Sequence, residues 1–513
     1  MRYGFAIDQR TCIGCHACTV ACKTEHDVPV GQFRTWVKYV EKGSFPDTTR
    51  EMAVLRCNHC TDAPCVKGCP TKALFIRPDG IVDFDNSRCI GCKMCMQACP
   101  YDAIYIDENT HTAAKCNFCA HRIDQGLEPA CVQVCPTESI WVGDLDDPNS
   151  GIRKLISIEP VTVRAPEQNT SPNVYYVGAD KAALEPLVAP VDQTYLWAEP
   201  DVLRLETAPD LPGDPITNAR TTFNTSHPHP WGWRVWTYLW TKSVAAGAGL
   251  LAALMILLTG NNSTLVTTAA PLLAEVFLLI TAIFLIWDLK QPKRFIFLLK
   301  PWMINKTSWM AIGGIFLGLY AVIGGLWFLA GAADLLDIGE YNSVITVLAW
   351  PAIPAAIMTA GYTAFLLGQA EGRDLWQSPV LFWHLLAQAG MAGSGLLLIV
   401  GAFLDPGADA MTWLAWALAI STIANLLILA VEYGGKHSTR NAAVSAHMLT
   451  HGRYKGSFWG GALGLSVVVA ALALASALGA PILLAVLGGL VAQVSLLIYE
   501  SVFVKAGQDV PLS

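Results

Sequence analysis

From about Trp233 onward, apolar residues run in stretches long enough to cross a bilayer, with short polar loops between them. A hydrocarbon core of about 30 Å takes about 20 helical residues. Eight stretches meet that length, at 235–259, 265–287, 308–331, 344–368, 379–403, 411–431, 458–479 and 481–503. Leu, Ala, Ile, Val and Gly fill most of them without charge, and Gly313, Gly314, Gly318, Gly324 and Gly325 suit close helix contacts. One such stretch alone fits a buried helix of a soluble protein; eight in succession do not. Ahead of them, residues 146–230 are rich in Pro, Asp and Thr, with Pro160, Pro166, Pro172, Pro186, Pro190, Pro200, Pro209, Pro212 and Pro215 spread along them. That composition predicts an extended tether with little core of its own. Three regions are therefore expected: a domain over 1–145, the tether over 146–230, and an all-α bundle of about eight membrane helices over 231–513.

Composition agrees, since 53% of the chain is hydrophobic and mean hydropathy is +0.40, too apolar for an ordinary soluble protein of 513 residues. The formal charge of -7 is mild and suggests no nucleic-acid partner. Its distribution over the loops carries more. Lys290, Lys293, Arg294, Lys300, Lys306, Arg373, Lys436, Arg440, Arg453, Lys455 and Lys505 fall on the side shared with the N-terminal domain. The opposite loops carry Asp334, Asp337, Glu340, Asp405 and Asp409 and no Lys or Arg. The positive-inside rule then predicts a cytoplasmic N-terminal domain on an inner-membrane protein. No apolar leader precedes Cys12, and Arg2 and Arg10 stand apart instead of forming a twin-arginine signal, which supports the same expectation.

All sixteen cysteines fall in the first 135 residues, in four groups. They are Cys12, Cys15, Cys18, Cys22; Cys57, Cys60, Cys65, Cys69; Cys89, Cys92, Cys95, Cys99; and Cys116, Cys119, Cys131, Cys135. Each opens C-x2-C and closes C-x3-C, and Pro70, Pro100 and Pro136 follow three of the closing cysteines. Groups one and three have the bacterial ferredoxin spacing, in which three close thiolates hold one 4Fe-4S cluster and the fourth reaches its neighbour. Cys12-Ile13-Gly14-Cys15 and Cys89-Ile90-Gly91-Cys92 repeat one another, the mark of a duplicated α+β ferredoxin-like domain. Zinc sites also use C-x2-C pairs but need neither the triplet nor the C-x3-C-P closure. A disulfide framework belongs in a small secreted domain. Four 4Fe-4S clusters are expected, and no missing cysteine marks a three-iron form.

The cysteine module resembles the four-cluster electron-transfer subunit of complex iron-sulfur molybdoenzymes, the group containing DMSO, polysulfide and thiosulfate reductases. The membrane region resembles their NrfD-type quinone-reactive subunits, through Pro230-Trp231-Gly232-Trp233, Asp288-Leu289-Lys290-Gln291-Pro292-Lys293-Arg294-Phe295, Tyr362-Thr363 and Glu371-Gly372-Arg373. The two parts, usually separate polypeptides, are fused here. The resemblance implies that Cys12, Cys15, Cys18 and Cys135 share a cluster, as do Cys22, Cys116, Cys119 and Cys131. It likewise groups Cys57, Cys60, Cys65 and Cys99, and Cys69, Cys89, Cys92 and Cys95. The first cluster would lie nearest a catalytic chain and the last nearest the membrane. It also implies a quinone pocket just before the first span, making Asn224, His227, His229 and Trp231 candidates; exposed linker histidines are the plainer reading of the two imidazoles.

Ionisable groups within membrane spans are functional candidates because burying charge in lipid is costly. Lys242, Glu275, His384 and Glu500 lie inside spans, and Asp288, Glu371, Arg373 and Glu432 near span ends. Polar contacts between helices, or snorkelling, explain any one of them equally well. His384 alone lies well inside a span, so a bis-histidine haem is not expected. No G-x-G-x-x-G after a strand and no Walker loop offers a nucleotide site. The sequence therefore predicts an electron-transfer and anchor subunit linking a separate, molybdopterin-containing catalytic chain to menaquinone or ubiquinone. The expected complexes are, in order, sulfite-oxidising, formate-oxidising, or reducing a sulfur compound. A redox-driven proton-translocating relay, or a hydrogenase electron-transfer subunit, are the alternatives.

Overall fold

The structure is a computed structural model and describes residues 1–189, 219–225 and 228–513. Among the described residues eleven strands form the N-terminal part: β1 (Tyr3–Asp8), β2 (Thr35–Ser44), β3 (Asp47–Arg56), β4 (Leu74–Ile76), β5 (Val82–Phe84), β6 (Ile104–Ile106), β7 (Ala113–Lys115), β8 (Ile140–Asp144), β9 (Val161–Thr162), β10 (Val174–Val177) and β11 (Arg220–Phe223). They make a four-stranded sheet in the order β8-β1-β10-β9, a three-stranded sheet β11-β2-β3, and the hairpins β4-β5 and β6-β7. The cysteine groups lie on the turns and short helices between these strands. Cys18 and Cys22 sit in the helix Ala17–His26, Cys65 in Pro64–Gly68, Cys95 in Met94–Ala98 and Cys131 in Ala130–Gln133.

All four C-x2-C units share one backbone device, a left-handed residue immediately before the second cysteine. Gly14 and Gly91 adopt it at φ +67°, His59 at +44° and Phe118 at +63°. Glycine takes this conformation at no steric cost. For His59 and Phe118 it is strained, and both are fully buried with their rings 5.1 Å apart, so packing holds them there.

The expected tether over 146–230 departs from its prediction. Residues Gly151–Ile158 form a helix, and Val174–Val177 pair in parallel with Phe5–Asp8 at the centre of the first sheet. Ile152, Val174 and Tyr176 are completely buried. Proline and aspartate frequency hid the short apolar run Val174-Tyr175-Tyr176-Val177, which is long enough for a central strand. Pro190, Pro200, Pro209, Pro212 and Pro215 lie outside the described residues.

Among the described residues eight apolar helices follow: Trp233–Thr259, Leu265–Asp288, Trp309–Leu335, Asn342–Gly368, Leu381–Leu404, Ala408–Gly434, Ser457–Ala477 and Leu483–Asp509. We number them as spans one to eight. Each matches an expected stretch to within six residues at either end. Span one is the most enclosed and crosses span five at Gly247 and Gly393, where a Cβ on Gly247 would stand 1.8 Å from the Ala389 carbonyl oxygen. An additional helix, Arg440–Thr450, lies between spans six and seven on the side of the cysteine module.

Four membrane-side segments grip the module. Lys290 and Gln291 donate backbone N–H groups to the Gly91 and Ile90 carbonyls, at 3.2 and 3.1 Å, while Arg294 Nη1 reaches the Asn86 and Cys89 carbonyls at 2.6 and 2.8 Å. Asn305 Nδ2 donates to the Val66, Lys67 and Cys69 carbonyls, and Ser308 Oγ to that of Gly68. Arg373 Nε donates to Gln97 Oε1 at 2.9 Å, and its Nη1 to the Gln508 and Val510 carbonyls at 3.0 Å each. The tail after span eight lies in the same seam, where Arg164 Nη2 donates to the Leu512 carbonyl and Asn224 Nδ2 to that of Ser513.

Candidate functional site

The fold gathers the sixteen thiols close to one another. One cavity is lined by Cys12, Cys15, Cys18 and Cys135, and another by Cys69, Cys89, Cys92 and Cys95. Cys22 has Cys116, Cys119 and Cys131 as its thiol neighbours, and Cys65 has Cys57, Cys60 and Cys99. All sixteen are free of disulfides. Among the described residues no three donors converge on a single-ion point; the two sets that line cavities surround a space, the arrangement an iron-sulfur cube requires.

Two features test whether anionic clusters fit. Burial pushes the Cys60 and Cys116 thiols up to about 12, and those of Cys18 and Cys99 up to about 11, so ionising them needs a strong local positive charge such as iron. Conversely, Arg56 is fully buried, with Nη1 3.2 Å from Cys131 Sγ and Nε and Nη2 without hydrogen-bond partners. Its titratable neighbours are Cys131, Cys116 and Cys18. A buried guanidinium without a carboxylate is costly, and a thiolate-ligated cluster on either side would supply the missing anion. Backbone N–H groups also point at sulfur, from Gly91 and Ala113 to Cys89 and from Ser139 to Cys135.

Where the module meets the bundle, a cavity of about 410 Å³ opens between spans one, two, three and four. Its wall includes Cys92 of the last thiol set. Leu278, Leu285, Leu298, Phe295, Met310 and Leu317 make it apolar, and Trp231, Tyr238, Glu275, Asp288 and Tyr362 add a few polar groups. That is the usual make-up of a small-molecule site. Leu279 and Leu299 line it yet remain 62% and 68% exposed, so it opens sideways toward lipid. Gly314 and Gly318, expected as helix contacts, line the cavity instead, and a Cβ added at either would meet nothing within 4 Å. Gly313 does serve close packing, against the Tyr362 ring.

The predicted site residues divide sharply. Trp231 and Asp288 line the cavity. Trp231 Nε1 donates to the Cys92 carbonyl at 3.4 Å, its main chain is held by Gln508, and its ring stacks on Trp376. Asp288 forms an ion pair with Lys93, the residue after Cys92, at 2.7 Å. Four others are elsewhere. Asn224 accepts from Trp36 Nε1 and fixes the tail, and Arg373 clamps the seam; neither lines the cavity. His229 faces Asp509 at 3.5 Å, half-exposed, as the plainer reading held. His384 lies deeper, with Nδ1 3.3 Å from Glu432 Oε2. His227 lies outside the described residues. Burial pushes the carboxyl of Glu371, in the loop beside Arg373, above its usual range. Sequence reasoning gave no role to Tyr238 or Lys93, whose only signal was position: one sits a turn inside span one and the other beside a ligand cysteine.

Comparison with known proteins gives two family matches. Residues 49–145 match the 4Fe-4S dicluster domain, and residues 221–508 match the family described as "Polysulphide reductase, NrfD". Among curated proteins, the B subunit of tetrathionate reductase from Salmonella typhimurium is 46% identical over 202 residues, covering 39% of this chain and 80% of that one. The B polypeptide of polysulfide reductase from Wolinella succinogenes is 41% identical over 190 residues, 36% of this chain and 98% of the relative. The arsenate respiratory reductase iron-sulfur subunit ArrB of Shewanella is 36% identical over 225 residues, 34% and 96% of the two chains.

Proposed function

Because this protein belongs to the NrfD family of polysulphide reductase membrane proteins and carries a 4Fe-4S dicluster domain on the same polypeptide, we propose that it relays electrons between membrane quinone and a separate catalytic chain. The observation that carries this reading is the presence of Cys92 in the wall of an apolar, lipid-facing cavity. A ligand to the last cluster and a quinone-sized space then share one surface.

In this reading four 4Fe-4S clusters are held by the four thiol sets described above, and the cavity takes a quinone. Bound clusters pass single electrons, and a quinone exchanges two electrons and two protons. The protein's own residues do the rest. The apolar wall excludes water and seats the isoprenoid tail. Tyr238 and Tyr362 supply hydroxyl donors for the headgroup oxygens, while Asp288, held by Lys93, orients the headgroup as a hydrogen-bond acceptor. Trp231 bridges the cavity wall and the Cys92 carbonyl, fixing the distance between quinone and cluster.

The catalytic partner is proposed to be a molybdopterin-containing chain docked at the exposed end of the module, near Cys15. The names of the relatives move the emphasis from sulfite or formate oxidation toward reduction of an oxidised sulfur compound. The loop charges favour a cytoplasmic module on the inner membrane. The test is isolation of the complex from native membranes through a tag on this chain, followed by metal analysis and anaerobic quinol titration watched by electron paramagnetic resonance. Molybdenum or tungsten with a large co-purifying chain, and cluster signals that develop with quinol, are the expected results. Iron alone, with clusters that quinol leaves oxidised at every potential their redox titration reaches, overturns the reading.

A further inference from the structure

The bundle holds a second set of buried ionisable side chains that the cavity does not use. Lys242 of span one is completely buried and donates from Nζ to the Ala360 carbonyl and to Thr363 Oγ1, at 2.7 Å each. It lies 5.1 Å from the centre of the Tyr362 ring, which lines the cavity. Glu500 of span eight, 2% exposed, has Lys242 and His384 as its ionisable neighbours. His384 of span five is 3.3 Å from Glu432 of span six, and its ring lies 5.0 Å from that of Tyr499. Tyr499 and Tyr433 bring their hydroxyls within 3.3 Å. Glu432 stands at the module-side end of span six and has His437, in the loop beyond, as a neighbour.

Placed along the helices, these groups descend in order. Lys242 and Glu500 are each nine residues inside their spans from the module side, His384 three, and Glu432 two. At about 1.5 Å per residue the array covers roughly 14 Å, from beside the cavity to the module-side surface. The other half of the bilayer is different. Past Glu275, the described spans carry no Asp, Glu, Lys, Arg or His until Asp334 and Asp409 at their far ends. Glu432 Oε1, Gln388 Oε1 and Asn425 Oδ1 are buried without hydrogen-bond partners, and bridging water within the array would satisfy them.

On the quinone reading of the cavity, we propose that the array Lys242–Glu500–His384–Glu432 conducts protons between the quinone headgroup and the aqueous phase on the side of the cysteine module, so that quinone turnover moves no protons across the bilayer. When quinol is oxidised, its two electrons leave one at a time to the cluster held by Cys69, Cys89, Cys92 and Cys95. Its two protons leave through Tyr362 and the array to water near His437. Reduction runs the same transfers backward. Burying four ionisable groups is costly in lipid, and a proton path that stops at one surface accounts for their all lying in one half.

The test uses the whole complex, reconstituted in vesicles with the module facing outward, its orientation scored by protease cleavage of the module. Quinol and an electron acceptor for the catalytic chain are added, with one pH dye outside, one trapped inside, and a potential-sensitive dye. Both protons are expected outside, with no inward signal and no membrane potential; protons inside, or a potential, overturn the proposal. Glu432→Gln and Glu500→Gln should slow proton appearance by at least about tenfold while quinol still reduces the last cluster at equilibrium, and Glu432→Asp should restore the rate. Unchanged proton kinetics in both Gln variants also overturn it. If quinol fails to reduce any cluster in the unaltered complex, the quinone reading itself falls, and this failure is distinct because no variant is involved.

Discussion

The cysteine module and the membrane bundle reach their chemistry by opposite routes. In the module each thiol set takes three members from one local run and a single member from far away, as Cys89, Cys92 and Cys95 are joined by Cys69. In the bundle the polar groups of the cavity arrive nearly one per helix: Tyr238 from span one, Glu275 and Asp288 from span two, Tyr362 from span four. Chemistry set by local spacing can be read directly from a sequence. Chemistry set by convergence of distant helices cannot, because every span shows the same apolar composition whichever face lines a site. Cys92 belongs to both regions, and altering it tests the comparison most severely.

Cys92→Ser should abolish quinol-driven cluster reduction. Iron content should fall by one cluster, with the other cluster signals and membrane insertion retained, as followed by iron analysis and electron paramagnetic resonance. Retention of quinol-driven reduction at the normal rate would place the electron entry point elsewhere. The next effect comes from the bundle alone. Gly318→Leu adds a side chain in open cavity space and should raise the KM for quinol roughly tenfold, the scale of about 1.4 kcal/mol of lost binding, with all cluster signals intact. An unaltered KM would show that the headgroup and tail avoid this wall.

The seam joining the two regions gives the third effect. Arg373 is a buried guanidinium with three hydrogen bonds that tie the loop after span four to the module and to the tail. Arg373→Met should weaken docking by about 3 kcal/mol, since hydrogen bonds to charged groups contribute roughly 1.5–3 kcal/mol each and are partly recovered by water. Faster hydrogen exchange in Gln97–Cys99 and in the tail, without loss of clusters, is the expected signature. Gly372 beside it admits no side chain, because a Cβ would come within 2.6 Å of the Cys99 carbonyl oxygen. The Glu371-Gly372-Arg373 motif thus reads as a docking element, the structural alternative that the sequence left open beside proton chemistry.

The same seam explains which readings succeeded. Thiol spacing predicted iron-sulfur ligation, while the grouping of thiols into sets came from the family resemblance, and apolar length predicted eight spans; spacing and length are one-dimensional properties of the chain. Asn224 and Arg373 were polar residues near the right surface, yet both hold the docking interface, and nothing local separates a buried clamp from a catalytic group. The tether failed where four apolar residues among prolines supplied a central strand. The loop charges carry a related lesson. Arg294 binds module carbonyls and Arg373 a module side-chain amide, so part of the basic bias on that side serves docking and weighs less as evidence of topology. Lys300, Lys306, Lys436 and Lys455 keep the bias in the same direction.

The smallest effect tests how the two regions share charge. Glu371 sits between spans four and five, facing Lys67 and Asp62 of the module; burial raises its carboxyl above the ordinary range, Lys67 opposes that shift, and Asp62 adds to it. A raised folded-state value means that the protonated form is the one the fold favours. Stability from this group is therefore complete below the ordinary glutamate value of about 4.3 and is lost as pH rises through the folded value. Glu371→Gln should accordingly stabilise the chain at pH 7, by less than about 1 kcal/mol because the site is partly solvated, and the gain should vanish near pH 4. Thermal melting of the detergent-solubilised complex across this range checks it. A loss of stability at pH 7 would instead mean that attraction to Lys67 outweighs burial, and that the module contributes a net ion pair to the seam.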